Sequence, residues 1–201
     1  MMSKDDLSNP VILDALKELA NIGTGHAVTA LSSMIGKFVG ITVPEVYLES
    51  LGKVATILGD PGEEVSAVYV GYRGELDGGA MVIFDSSSTH GLLQALMGAD
   101  MDLSDPMALS MLQEIGNILV GSFVSALATF FGNTILAEHP GVAVDMLGAV
   151  LNVLLAEVGQ HADYLIIAKT TIAIEDVNIR GWIVDIPTPE SFKRIIEKLG
   201  L

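Results

Sequence analysis

Set against itself at an offset of 96 residues, the sequence aligns DALKELANIGTGHAVTALSSMIG (14–36) with SMLQEIGNILVGSFVSALATFFG (110–132). Extended to Val46 and Val142, the alignment holds 33 positions, and eleven are identical. They include Leu16/Leu112, Glu18/Glu114, Asn21/Asn117, Ile22/Ile118, Gly25/Gly121, Gly36/Gly132 and Pro44/Pro140. Unrelated segments of ordinary composition agree at roughly two or three such positions. The chain is therefore read as an internal duplication, and its fold has to give two copies of one supersecondary unit equivalent places.

The copies run on in parallel. Each long helix is followed by an expected strand, 40–48 in the first copy and 134–139 in the second. The middle sections differ: 53–58 reads as a strand and 144–158 as a helix. Two β-rich segments and a closing helix complete each copy, at 65–72, 79–84 and 88–97, then at 164–174, 180–186 and 189–199. Gly79/Gly181 and Gly98/Gly200 match at an offset of 102, which places about six extra residues in the second copy. Turn-rich residues 98–105 mark the boundary. The expectation is one domain over 1–201 built of two repeats, about 8–98 and 104–200. Ser8 before Asn9-Pro10, and Ser104 and Asp105 before Pro106, are cap candidates with proline in the first turn. Gly36 and Gly132 stand where a left-handed glycine ends a helix.

Half of the chain is hydrophobic, ample for a core. There is no cysteine, which excludes disulfide scaffolds, thiol nucleophiles and cysteine-ligated metal sites. The net charge of −15 repels nucleic acid and anionic lipid and suits a basic patch on another protein. Residues 115–137 carry no charge, but they hold polar residues such as Asn117, Ser122 and Thr129 and have no basic flank. They read as a buried helix running into a strand, with no membrane insertion. The opening MMSKDDLSNP lacks an apolar signal-type stretch, so a cytoplasmic location is expected.

At 100° per residue, Asp14, Glu18, Asn21 and Gly25 form one narrow strip on the first helix. Ile12, Leu16, Leu19, Ala20, Ala27, Ala30 and Met34 take the opposite, core-facing side. The second helix puts Ser110, Glu114, Asn117 and Gly121 on the matching strip. A wet helix face explains one such strip. Asparagine is a mediocre helix former, however, and two copies that differ at most surface positions both keep Glu and Asn three residues apart.

The pattern Asp/Ser-x3-Glu-x2-Asn-x22-Pro thus occurs twice in full, as Asp14, Glu18, Asn21, Pro44 and as Ser110, Glu114, Asn117, Pro140. This resembles the signature of the CheC/CheX/FliY family of chemotaxis phosphatases. Two complete motifs and the ELANIG and EIGNIL contexts are most similar to its CheC type. The resemblance implies an α/β fold of the α+β type, internally duplicated about a pseudo-two-fold, with a β-sheet and two long site-bearing helices exposed on the surface. It also implies hydrolysis of the aspartyl phosphate on the response regulator CheY.

That chemistry fits the residues. An acyl phosphate is already activated, so the attacking group is water and the task is positioning and electrostatics. The carboxamides of Asn21 and Asn117 accept from water and donate toward phosphoryl oxygens without titrating. Glu18 and Glu114 repel a phosphoryl dianion unless they pair with a cation, and the resemblance implies docking on the receiver's active-site lysine. Asp14 and Ser110 are expected to contact the partner or to buttress the glutamate, and Gly25 and Gly121 to leave a smooth patch for the partner. Pro44 and Pro140 are expected to shape the following strand. The receiver supplies Mg²⁺ in this reading, and the chain itself is expected to carry no metal or other cofactor. The resemblance also brings CheD as a further partner, and a non-catalytic role, as a CheD-binding or flagellar-switch module that binds phosphorylated regulator, is the alternative. A monomer suffices, since the duplication supplies internal symmetry.

Other signals are weaker. Gly23-Thr24-Gly25 has no preceding strand and lies mid-helix, unlike a phosphate loop. His26, His90, His139 and His161 lack metal-ligand spacing.

Overall fold

The computed structural model describes residues 9–99, 101–158, 164–175 and 177–199. Helix α1 (Pro10–Ile35) starts on Asn9, whose side chain accepts from the Val11 amide at 3.0 Å. Ser8 lies outside the described residues. Helix α4 (Pro106–Phe131) starts on Asp105, which accepts from Met107 at 2.8 Å, while Ser104 bonds the Asp102 carboxylate. Both helices have proline in the first turn, where no amide partner is lost. Both end on a left-handed glycine, Gly36 at φ 69° and Gly132 at φ 71°. The two starts and stops are thus the same device used twice.

Between and after them come β1 (Val39–Ser50), a 3-10 turn (Leu51–Lys53), α2 (Val54–Leu58), β2 (Glu64–Gly74), β3 (Gly78–Asp85) and α3 (Ser86–Met97). The second half adds β4 (Ile135–Ala137), β5 (Gly141–Met146), α5 (Leu147–Val158), β6 (Tyr164–Ile174), β7 (Val177–Pro187) and α6 (Pro189–Lys198). All strand pairs are antiparallel, in the order β1-β6-β7-β3-β2-β4, with β5 also on β2. Read from either edge, this order gives the same succession of repeat elements. The first strand of each repeat pairs with the hairpin of the other, and β3 and β7 meet at the pseudo-two-fold. Neither repeat closes its own sheet.

The register corrects the sequence alignment. Val46 opposes Ala168, and its counterpart Val142 opposes Val68, so Val68 and Ala168 are equivalent. Val68 opposes Val82 and Ala168 opposes Ile183, so β3 and β7 correspond as Val82 to Ile183. Gly79 therefore matches Arg180, and the Gly79/Gly181 match is off by one residue. A one-residue slip exchanges the faces of a strand. A Cβ on Gly79 would strike Tyr69, and one on Gly181 would strike Phe84, which lies on the other face. Gly200 lies outside the described residues.

Three further expectations change. Residues 53–58 are helical, because Val54 and Leu58, four apart, both bury on the sheet. The strand expected at 134–139 covers only Ile135–Ala137 and resumes as β5, so the helix expected from 144 begins at Leu147. Ala30 and Met34 are exposed, because the buried side of α1 drifts to Ala27 and Leu31 in its last turns.

Helices α1, α3, α4 and α6 cover one face of the sheet, and α2 and α5 the other. Helix α4 is long and apolar enough to cross a membrane, yet Leu112, Ile115, Leu119, Val120 and Leu127 are buried in the core beneath it. A buried carboxyl group, Asp185, interrupts this core. The Tyr72 hydroxyl donates to Asp185 Oδ1 at 2.8 Å, while Oδ2 has no hydrogen-bond partner among the described residues. Burial drives the Asp185 carboxyl up to about 7.

Candidate functional site

Helix α1 exposes Asp14, Glu18, Asn21 and Gly25 to solvent. Its buried side, formed by Ile12, Leu16, Leu19 and Ala20, fixes that orientation. Helix α4 exposes Ser110 and Glu114, but Asn117 and Gly121 are half-buried. The second strip is thus less open than the sequence pattern predicts. Close packing of α4 on the sheet accompanies this difference. Gly116 lies so tightly on Val68 that a Cβ there would collide with it. The matching position on α1 is Ala20, which is buried without such a collision.

The side chains of Glu18, Asn21, Glu114 and Asn117 make no hydrogen bond or ion pair with any described residue. Each strip therefore presents a carboxylate and a carboxamide one helical turn apart with their bonding capacity free for a partner. No Cβ neighbour lies within 4 Å of Gly25 or Gly121, so the surface beside each pair is open to close approach. An exposed apolar residue begins each strip at equivalent positions, Val11 (63%) and Met107 (56%).

The motif prolines are tied to the helices, not to the strips. Pro44 sits where the β1–β6 pairing shifts register between Thr42 and Glu45. Pro140 sits in the matching break between β4 and β5. Lys17 Nζ donates to the Pro44 carbonyl at 2.7 Å, and Gln113 Nε2 donates to the Pro140 carbonyl at 2.8 Å. The sequence signals only the prolines, since a Lys and a Gln on a polar helix side look like ordinary surface.

The remaining candidates scatter. Gly23 packs within 3.1 Å of the Phe123 Cα, measured from its would-be Cβ, so it serves the crossing of α1 and α4. His26, His90 and His139 lie on different elements, and among the described residues no group of three His, Asp or Glu side chains converges to hold a metal. His161 lies outside the described residues.

Two repeats, each with a Glu/Asn strip on its long helix, are the features to set beside known proteins. The CheC-like family pattern matches residues 11–48 and 107–142, the motif helices with the strands that follow them. The chain thus carries the CheC-like pattern once in each repeat. It is 28% identical to the CheY-P phosphatase CheC of Bacillus subtilis, over 94% of this chain and 93% of that protein. The structure of Thermotoga maritima FliY shares the fold at a TM-score of 0.78 and 24% identity, covering 96% of this chain and 97% of that one. A CheX–CheY–BeF3–Mg²⁺ complex from Borrelia burgdorferi contains a chain of related fold, at a TM-score of 0.51 and 17% identity over 84% of this chain and 96% of that one.

Proposed function

We propose that this chain is a cytoplasmic phosphatase that hydrolyses the aspartyl phosphate of the response regulator CheY, at one site on each long helix. The observation that carries the reading is the pair of Glu/Asn strips on α1 and α4, with Glu18, Asn21 and Glu114 exposed and Asn117 half-buried, all four without partners among the described residues. The CheY-P phosphatase activity named for the Bacillus subtilis relative, and the CheY named in the Borrelia burgdorferi complex, supply the substrate.

In this mechanism Asn21 or Asn117 orients the attacking water and donates to the phosphoryl oxygens, as a positioning amide and not a base. Glu18 or Glu114 pairs with a cation of the receiver, the active-site lysine in this account. That pairing removes the repulsion a carboxylate exerts on the phosphoryl group and fixes the docking angle. Asp14 and Ser110 contact the receiver one turn earlier, and Gly25 and Gly121 leave room for its backbone. The receiver brings Mg²⁺ and most of the charge neutralisation, and this chain brings no cofactor. A single copy of the chain is sufficient.

The test is the decay of radiolabelled CheY-P with the parent chain and with Asn21→Ala/Asn117→Ala. Faster decay with the parent and none with the double variant supports the proposal. Binding of CheY-P by the parent without faster decay would replace it with a switch-type or CheD-sequestering module.

A further inference from the structure

Both repeats make one contact that their residue types do not share. Lys17 and Gln113 occupy the same repeat position, directly before the motif glutamate and one turn before the motif asparagine. One ends in an ammonium and the other in a carboxamide. Both are half-buried, and both donate to the carbonyl of the motif proline, at 2.7 and 2.8 Å. What the copies have kept is an N–H donor at this point, not a charge.

The acceptor is made by the strand. In β1 the ladder runs to Thr42–Thr171 and resumes at Glu45–Lys169. In the second repeat it runs to Ala137–Tyr72 and resumes at Gly141–Tyr69. Each proline sits in the interruption, where a residue without an N–H leaves no orphan donor. Its carbonyl is released from the ladder and meets the helix. The proline lies 23 residues beyond the asparagine in both copies because this is where the edge strand passes the first turns of the site helix.

We propose that Lys17 and Gln113 are the positioning residues of the two sites, each pinning its helix to the motif proline so that the Glu/Asn pair keeps its reactive orientation. The proposal rests on the phosphatase reading of those pairs. The pin lies within one turn of the reacting amide, where a small helix rotation moves the carboxamide away from the water it orients.

The repeats themselves supply the conservative exchange. In an Asn117→Ala background, which leaves only the α1 site, CheY-P decay is measured with Lys17→Gln and Lys17→Met. Lys17→Gln is expected to keep kcat within about twofold, and Lys17→Met to lower it about tenfold with KM and melting temperature nearly unchanged. Equal losses in both would assign the role to charge, and no loss in Lys17→Met would remove it; either overturns the proposal. An inactive Asn117→Ala chain beside an active parent would mean that the α1 site does not turn over. An inactive parent would overturn the phosphatase reading itself. Amide exchange at Glu45 and Val46 then decides the pin separately: exchange in Lys17→Met no faster than in Lys17→Gln contradicts it.

Discussion

The two long helices start, stop and carry their motifs alike, yet they sit differently on the sheet. Helix α4 lies down on β2 through Gly116, and its Asn117 and Gly121 are half shaded. Helix α1 carries Ala20 at that position and leans on α4 through Gly23, where the second repeat has Leu119. Two exchanges of glycine for a larger residue thus accompany the difference in how the two helices pack. The same divergence appears across the pseudo-two-fold on the opposite face. Tyr47, Lys169 and Trp182 cluster in one half, with the Lys169 ammonium 5.6 Å from the indole centroid. Their counterparts Ala143, Tyr69 and Met81 line an open apolar groove of about 250 Å³ beside α5. Duplication has kept the Glu/Asn pairs and the helix ends, and has let packing around them diverge.

The packing half of that comparison breaks most easily at Gly116. Gly116→Ala forces a methyl into Val68 and is expected to destabilise the chain by about 3 kcal/mol, read by denaturant unfolding. Ala20→Gly leaves no such collision and is expected to cost about 1–2 kcal/mol, from lost helix propensity and the lost burial of one methyl.

A second contrast is Asp185, whose counterpart in the first repeat is the buried Phe84. Its carboxyl is raised in the folded chain, so its contribution is full below the ordinary carboxylate range and is lost as pH rises through about 7. Asp185→Asn is expected to flatten the fall in stability between pH 5 and pH 8, by on the order of 2 kcal/mol. An unchanged slope in melting temperature against pH would contradict this.

The smallest of the three effects is at the helix crossing. Gly23→Ala places a Cβ 3.1 Å from the Phe123 Cα while improving helix propensity, and the two terms oppose each other. The net change is expected within about 1 kcal/mol, with faster amide exchange in α1 than in α4 as the sign that the crossing has loosened.

Much of this arrangement is legible in the sequence. The boundaries of the two long helices are, because Asn9-Pro10, Asp105-Pro106, Gly36 and Gly132 act locally. The long strands β2, β3, β6 and β7 are, because their apolar runs are bounded by turns. Residues 53–58 are not, since five helical residues show too little of a 3.6-residue period to separate from a strand. Strand β5 is hidden by the proline break that precedes it. The face of β7 is hidden because a glycine match tolerates a one-residue slip that packing does not. The Glu/Asn pairing is legible through the duplication, but the half-burial of Asn117 and Gly121 is not, because it follows from how α4 packs on the sheet. The pins from Lys17 and Gln113 are not, because their meaning lies in a carbonyl 27 residues away.

The central claim is that the duplication has left two separate reactive sites. The direct measurement is CheY-P decay with Asn21→Ala and with Asn117→Ala, each beside the parent. The exposed Asn21 is expected to cost less than about 0.5 kcal/mol of stability, so cooperative melting should persist while one site is lost. The account predicts that each variant keeps part of the activity and that the two remainders sum to the parent rate. Complete loss of acceleration in either single variant, with its melting unchanged, would contradict it.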